Sequence, residues 1–416
     1  MSTVGTMKVA DVRYVRELYP RLSPSDEVID RYRAALDRLP PITVARDGVL
    51  VDGYHRWQAH LRDGIDTIQA EHLGDLSDAE ILREAYRRNA THGHQLSARD
   101  KRRAADHLYR TLPGTAAERY AEIAAVLGLT LRSAQDYAAE AKRDEAAEQK
   151  ARAIDLWQDC WTQESIAADV GAGRKTVGDW VADFRQDRRF ATAPESRQHF
   201  DVWSFHADKD SDTTYFGRIP EQVVENLLWL FTEPGDVVVD PFAGSGTTIE
   251  VGKRMGRRVW AADRISGTKY PNLPIHQHDA TAGWPDGAPQ KPALVLLDPP
   301  YWKQAAGRYS DDAADLGNQT LDEFMASWGA VLDGVRSARP ARVAFIVSPA
   351  QDGGMKDGSV VDLAFLMAQS AIDRGWTIER RIIVAYSTQQ ATGQQVESAR
   401  EHRRLLKLYR DLVVLS

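Results

Sequence analysis

Two short runs in the second half of the chain place reactive and ligand-contacting residue types close together. The first is DPFAGSGTT, where Asp240, Pro241, Phe242, Ala243, Gly244, Gly246 and Thr247 are candidate cofactor-binding positions. A glycine turn between a strand and a helix lets a ligand approach the backbone closely. The second is Asp298-Pro299-Pro300-Tyr301, the candidate catalytic group. It joins a carboxylate, a rigid carbonyl and an aromatic ring. Two successive prolines fix φ and remove two N–H donors, so their carbonyls stay available as acceptors. The Asp298 carboxylate and the Pro299 carbonyl can both accept from an exocyclic amine. Tyr301 can stack on the ring that carries it. Asp263 follows the glycine turn by about 20 residues, the position of a ribose-binding acid in a nucleotide-type βαβ unit.

These groups need strands and helices to hold them. DVVVD runs into the glycine turn and IEVGKRMG follows it as a helix. RRVWAAD, ALVLLD, RVAFIVS, TIERRIIVAY and RDLVVLS are the remaining strand candidates. Strands alternating with helices predict a βαβ sheet over residues 200–416. A strand ending in Asp298 puts the carboxylate at the carboxyl edge of that sheet, where ligands bind in open α/β folds.

With these residues in view, 200–416 resembles the amino-methyltransferase family that makes N6-methyladenine or N4-methylcytosine in DNA. DPFAGSGTT is similar to that family's cofactor motif and DPPY to its catalytic motif. The resemblance implies a Rossmann-like, doubly wound α/β domain that binds S-adenosyl-L-methionine. It implies that Phe242 contacts the cofactor and that Gly244 and Gly246 line its pocket. Asp263 would bind the ribose hydroxyls and Asp279 would lie near the adenine. YFGRIPEQVVENLLWLFTEPGD resembles the family's helix before the cofactor motif. An aspartate at the head of DPPY leans toward adenine N6, with cytosine N4 as the alternative. No metal is needed, and the base must leave the duplex to reach such a pocket. The two motifs stand close together, with no large segment for a separate target-recognition domain. That departs from the larger restriction-modification enzymes and leaves the source of specificity open.

The preceding residues divide by pattern. Residues 113–190 are helical and hold two look-alike units, AERYAEIAAVLGLTLRSAQDYAAEAKRD and TQESIAADVGAGRKTVGDWVADF, each a helix, a glycine-containing turn and a second helix. That is a helix-turn-helix layout. In the second unit Ile166, Ala167 and Val170 form one apolar stripe, and Val177, Trp180 and Val181 anchor the following helix. This leaves Arg174, Lys175, Thr176 and Asp179 outward, and Arg174, Lys175 and Thr176 are the candidate DNA-binding residues. Residues 1–112 mix short strands and helices. VDGYHRWQAHLRDG, with RRNATHGHQLSARDKRRAA behind it, resembles the ParB and sulfiredoxin-like superfamily, implying a small α+β domain. In that superfamily a turn of this type often holds nucleotide phosphates, and Gly53, His55 and Arg56 match it.

The expected organisation is therefore a ParB-like domain (1–112), a helix-turn-helix region (113–190) and a methyltransferase domain (200–416). The expected partners are double-stranded DNA and, left open, a nucleotide at the front domain and a second copy in a homodimer. A DNA-binding regulator and an RNA methyltransferase are the rival readings. A chain of 416 residues with 43% hydrophobic and 27% charged residues is an ordinary globular composition. One cysteine, Cys160, excludes an internal disulfide and a thiol metal cluster, and fits a reducing cytoplasm. No apolar run is long enough to span a bilayer and no apolar segment follows Met1, so neither a membrane partner nor a signal peptide is expected. A net charge of −7 argues weakly against nucleic acid. Three local basic clusters run against it: Arg87 to Arg110; Arg185, Arg188 and Arg189; and Arg400 to Arg410. Solvated helix faces are the plain explanation of each.

Overall fold

The computed structural model describes residues 3–20, 25–91, 96–189, 197–205, 218–265, 273–303, 307, 311–351, 360–385, 393–403, 406 and 408–416. The chain forms two units, Met1–Glu148 and Gln149–Ser416. The boundary divides the expected 113–190 helical region, so its first helix-turn-helix unit groups with the front residues and its second with residues 200–416.

In the front unit, β1 (Thr3–Lys8), α1 (Asp26–Arg33), β2 (Ile42–Val44), β3 (Leu50–Asp52), α2 (Tyr54–Arg62) and β4 (Thr67–His72) make a small α+β layer. Its sheet order is β1-β4-β2-β3. The β2–β3 hairpin turns at Asp47 and Gly48, both at positive φ, as the Asp-Gly pair predicts. Helices α3 (Asp78–Thr91), α4 (Ala98–Thr111), α5 (Ala116–Leu127) and α6 (Leu131–Tyr137) follow, and α7 (Ala139–Gln158) crosses the boundary. Capping boxes start α4 at Ser97 and α5 at Thr115, each hydroxyl and carboxylate satisfying orphan amides of the first turn.

Three members of the basic run from Arg87 to Arg110 are paired with acids, some one helical turn away and some distant in sequence. Arg87 and Arg88 bond to Glu84, Arg88 also to Glu71, and Arg110 to Asp106 and Asp144.

In the rear unit come α8 (Gln163–Val170), α9 (Arg174–Arg189), β5 (Val202–Ser204), α10 (Glu221–Phe231), β6 (Val237–Asp240), α11 (Thr247–Arg254), β7 (Arg258–Asp263), β8 (Ile275–Gln277) and β9 (Leu294–Leu297). After these come α12 (Leu321–Ser337), β10 (Arg342–Val347), the short pair β11 (Ala350–Gln351) and β12 (Val360–Val361), α13 (Leu363–Asp373), β13 (Ile378–Ala385), α14 (Gly393–Glu401) and β14 (Tyr409–Leu415).

The large sheet has the order β5-β13-β14-β10-β9-β6-β7-β8. β14 runs antiparallel between β13 and β10, while β10, β9, β6, β7 and β8 are parallel. The chain starts at the middle strand β6, goes out to β7 and β8, then returns to β9. This reversal makes a doubly wound sheet with a topological switch point between β6 and β9. Leu294 to Leu297 are all buried, as a strand covered on both faces requires. One apolar layer includes Phe324, Trp328, Val335 and Met367; the other includes Trp203, Val223, Val224 and Leu227. The expected α/β class is the one observed. The edge strands β5 and β8 were not expected; each is three residues long, too short to show a period-2 signal.

Candidate active site

The three acids picked from the sequence converge because their strands are neighbours. β6 ends at Asp240, and the register pairs Asp240 with Ala261, two residues before Asp263. Val239 pairs with Val295, so Asp298 stands just past the end of the adjacent strand. All three carboxyls therefore share the carboxyl edge at the switch point.

Asp240 is buried. Its Oδ1 accepts from the Phe242 amide at 2.9 Å, and the Thr248 hydroxyl donates to it. Burial, with Asp298 and Asp263 as like charges nearby, still pushes its carboxyl up to about 7. Asp263 accepts from the amides of Gly244 at 2.9 Å and Ile265 at 3.0 Å, and burial raises it too. Asp298 keeps a strip of accessible surface, but protein surrounds its carboxyl and burial pushes it up to about 6. Arg410 and the Tyr301 hydroxyl oppose that rise, the hydroxyl donating to Asp298 Oδ1 at 3.0 Å.

The glycine turn leaves no room for a side chain. Gly246 caps α11 at φ +86°, and a Cβ there would lie 2.3 Å from Leu273 Cδ1. Phe242 is half-buried against the core, and Ala243, Ser245, Thr247 and Thr248 are buried around the turn. Pro241 and Pro299 are buried; Pro300 and Tyr301 are half-buried. Asp279 follows β8, where its Oδ1 accepts from the Thr281 amide at 2.9 Å and its Oδ2 faces Arg264 at 3.4 Å. Arg264 also reaches Asp312, in the segment after DPPY. Other parts of that segment, 304–306 and 308–310, and the start of the pre-motif helix at 215–217 lie outside the described residues.

Arg410 was read only as part of a basic cluster, of which Arg404 and Lys407 lie outside the described residues. It is buried on β14, with its guanidinium 5.6 Å from the Tyr301 ring centroid. The signal was a lone cation among the apolar residues of the last strand.

Three helices build the second helix-turn-helix unit: the end of α7, α8 and α9. Its core holds Ile154, Trp157, Ile166, Val170, Val177 and Val181. Arg174, Lys175, Thr176 and Asp179 are exposed, as the apolar spacing requires, and Arg174 pairs with Glu164 at 2.9 Å. In the front unit Gly53 caps α2, His55 Nε2 accepts from the Ser25 amide at 3.0 Å, and Arg56 donates to Pro40 O at 2.9 Å and Asp52 at 2.6 Å.

Among the described residues no group of three or more His, Cys, Asp or Glu could hold a metal ion, and no helix is long and apolar enough to cross a membrane.

Residues 131–268 match the family model described as DNA methylase. The chain is 36% identical over 73 residues to the type II methyltransferase M.BglII of Bacillus subtilis, covering 17% of this chain and 20% of the relative. It is 36% identical over 72 residues to the type II methyltransferase M2.DpnII of Streptococcus pneumoniae, covering 17% of this chain and 27% of the relative. The aligned stretches thus span well under half the length of these relatives. Among solved structures, TrmN from Thermus thermophilus aligns at a TM-score of 0.30 and 17% identity, over 48% of this chain and 50% of that one. The ParB protein of Caulobacter crescentus complexed to the centromeric parS site aligns at a TM-score of 0.26 and 17% identity, over 42% of this chain and 97% of that one. The methylase match supports S-adenosyl-L-methionine as the cofactor, and the strained glycine turn with its ring of acids fits a ligand carrying ribose hydroxyls and positive charge. Across 131–268 the chain carries the DNA methylase family pattern, in keeping with the resemblance to the DNA amino-methyltransferases drawn from DPFAGSGTT and DPPY.

Proposed function

We propose that this protein transfers a methyl group from S-adenosyl-L-methionine to the exocyclic amine of a base flipped out of duplex DNA, adenine N6 by preference. The observation that carries this reading is the convergence of three acids beside a glycine turn, Asp240 buried and Asp263 and Asp298 partly so, each raised by burial. Burying carboxylates is costly in water-free surroundings unless a partner offsets it. A cationic ligand carrying ribose hydroxyls supplies that partner. Asp263, Asp279 and the turn at Gly244–Gly246 hold the ligand, and Phe242 packs against it. When bound, the cofactor supplies a methyl group on a sulfonium, which departs as a neutral thioether.

The chain's own residues prepare the nucleophile. An aromatic amine is a weak nucleophile because its lone pair is delocalised into the ring. Asp298 and the Pro299 carbonyl accept hydrogen bonds from its two N–H groups and favour tetrahedral nitrogen. The new N–C bond forms, and one amine proton leaves toward Asp298 and solvent. Tyr301 stacks on the base. Arg410 keeps Asp298 ionised against its burial, acting as a positioning residue. Such catalysis is mostly placement and fixed dipoles. Arg174, Lys175 and Thr176 at the start of α9 read the duplex.

Incubation of the full chain with duplex DNA and labelled cofactor, followed by mass spectrometry of the digested nucleosides, tests this. N6-methyladenine is expected. N4-methylcytosine would keep the mechanism and change the base. Label in RNA only, or none, would reject the reading.

A further inference from the structure

Two of the basic residues that end the second helix-turn-helix unit, Arg185 and Arg188, lie against the sheet-bearing part of the rear unit, and Arg188 meets the end of the helix that follows the glycine turn. Arg188 Nη1 donates to the Arg254 carbonyl at 3.0 Å, on the last residue of α11. Its stem lies against Gly256, where a Cβ would meet Arg188 Cγ at 3.3 Å. Arg185 lies against Gly235 in the same way, and the Gly235 amide donates to the Gly256 carbonyl at 2.8 Å. The end of α7 makes a second set of contacts. Gln158, buried, donates from Nε2 to the carbonyls of Lys253 at 2.8 Å and Arg257 at 3.3 Å. Lys253 Nζ sits between Asp155 at 2.8 Å and Asp159 at 2.7 Å. Arg258 donates to the Trp157 carbonyl at 3.1 Å, and its guanidinium lies 5.2 Å from the Trp157 ring centroid.

Arg188 supplies a donor to the last α11 carbonyl, Arg254, which a helix end otherwise leaves to water, and Gln158 adds a second donor to the Lys253 carbonyl, which also accepts the Gly256 amide. The Arg188 contact also places a cation at the negative end of that helix's dipole. Several directional bonds from two different helices fix both position and rotation, which a single apolar contact does not do. The same helices form one core with α8. The end of α9 that carries exposed Arg174, Lys175 and Thr176 is the opposite end from the docked one. Fourteen residues separate Arg174 from Arg188, so the lever is roughly 21 Å long.

We propose that residues 149–189 are a target reader fixed to the methyltransferase core. On this proposal the base pairs contacted by the first turn of α9 stand at one constant spacing from the methylated base. This supplies the sequence specificity that the closely spaced motifs leave without a separate domain, and it rests on the methyltransferase reading above. Gln158, Lys253, Arg258 and Arg188 are its positioning residues; duplex DNA is the partner, held by phosphate and base-edge contacts at Arg174, Lys175 and Thr176.

The test is methylation of a random-sequence duplex library by the full chain, with modified positions read by sequencing. The wild type should give a target base plus a second sequence block at one spacing. Lys175→Ala should weaken discrimination in that second block alone, by roughly 5- to 150-fold, the range for one base-reading contact. The double variant Gln158→Ala/Lys253→Ala should keep both blocks but spread them over several spacings. A wild-type motif without a second block, or one constant spacing in the double variant, overturns the proposal. Hydrogen exchange separates its failure from that of the activity. With or without methylation, the amides of α9 should open together with those of α11 in the wild type, and earlier in the double variant. Independent opening in the wild type refutes the docking itself. Circular dichroism and cofactor binding equal to wild type exclude simple unfolding of the variants.

Discussion

The molecule contains two strand–glycine–helix turns that look alike in sequence and differ in what their side chains do. Gly53 caps α2 at φ +104° and Gly246 caps α11 at φ +86°. Neither tolerates a Cβ, since Ile42 Cγ2 stands 2.7 Å from one ideal position and Leu273 Cδ1 2.3 Å from the other. Around Gly53 the polar groups close on the scaffold: His55 on the Ser25 amide, Arg56 on Pro40, Pro41 and Asp52. Around Gly246 the polar groups are acids raised by burial and aimed at a sheet edge. A left-handed glycine alone is therefore ambiguous. What separates the two turns is the balance of charge: at the front the Arg56 guanidinium is paired with Asp52, while at the rear burial raises three clustered acids despite their hydrogen-bond donors.

The largest test of the rear turn's chemistry is Asp298→Ala. Losing one preorganised acceptor should lower methyl transfer by about 100-fold or more. Cofactor binding, followed by calorimetry, should survive, because Asp298 lies on a different strand from the glycine turn. Full activity in this variant would remove the mechanism. The next test exchanges the two glycines. Gly246→Ala introduces both the contact with Leu273 and a left-handed alanine, a strain of about 1–3 kcal/mol. Cofactor affinity should fall roughly tenfold or more. Gly53→Ala should lower the melting temperature of the front unit and leave cofactor affinity unchanged. Equal effects of both substitutions on cofactor binding would erase the comparison.

The raised acids give the rear turn a pH dependence. Asp240 is pushed up to about 7 and Asp298 to about 6 by burial. Between the ordinary carboxylate range near 4 and pH 7 the folded chain holds more protons than the unfolded one, so stability falls as pH rises through that window and levels off above it. Asp240→Asn should flatten the slope, read as melting temperature against pH without ligand. A cationic cofactor should pull both carboxyls down, so binding near pH 6.5 should release protons, seen as a buffer-dependent heat in calorimetry. Turnover should decline below about pH 6, as Asp298 takes up a proton and loses acceptor capacity. Arg410→Met should move that decline to higher pH, since the guanidinium holds Asp298 down.

The convergence of the candidate site was readable because its acids lie at the ends of continuous apolar runs. DVVVD, RRVWAAD and ALVLLD each end in one of them, so locating the strand locates the carboxylate. Arg410 was hidden because its partners, Asp298 and Tyr301, are over a hundred residues away and meet it only through the pairing of β14 with β10. The cluster at Arg185 and Arg188, for which a solvated helix face was the plain explanation, hid its contacts for a related reason. Arg185 is exposed as that explanation has it, while Arg188 donates to the Arg254 carbonyl and both stems lie against glycines far away in sequence. The Asp47-Gly48 turn, by contrast, is a local device whose residues set their own φ, so it is legible without any tertiary contact.

The smallest expected effect concerns nucleotide at the front turn. The resemblance there allows phosphate binding through Gly53, His55 and Arg56. Phosphate would need the Arg56 guanidinium, which already donates to two carbonyls and to a carboxylate at 2.6 Å, with little of its side chain exposed. Breaking that set would leave Asp52 and two carbonyls without donors in a partly buried place, a cost of about 1–3 kcal/mol for each buried group. A new phosphate contact must exceed this before any binding is seen. A ligand that binds the folded state at 100 times its dissociation constant stabilises it by about 2.7 kcal/mol, which is visible as a shift in melting temperature. Millimolar nucleoside triphosphates with magnesium should therefore leave the melting temperature of the front unit unchanged, and no phosphate release should be detected. Arg56→Lys should lower that melting temperature, because an ammonium cannot reproduce a planar fork shared between carbonyls and a carboxylate. A nucleotide-dependent rise in the wild type, abolished by Arg56→Lys, would make the front turn a second ligand site and end the contrast with Gly246.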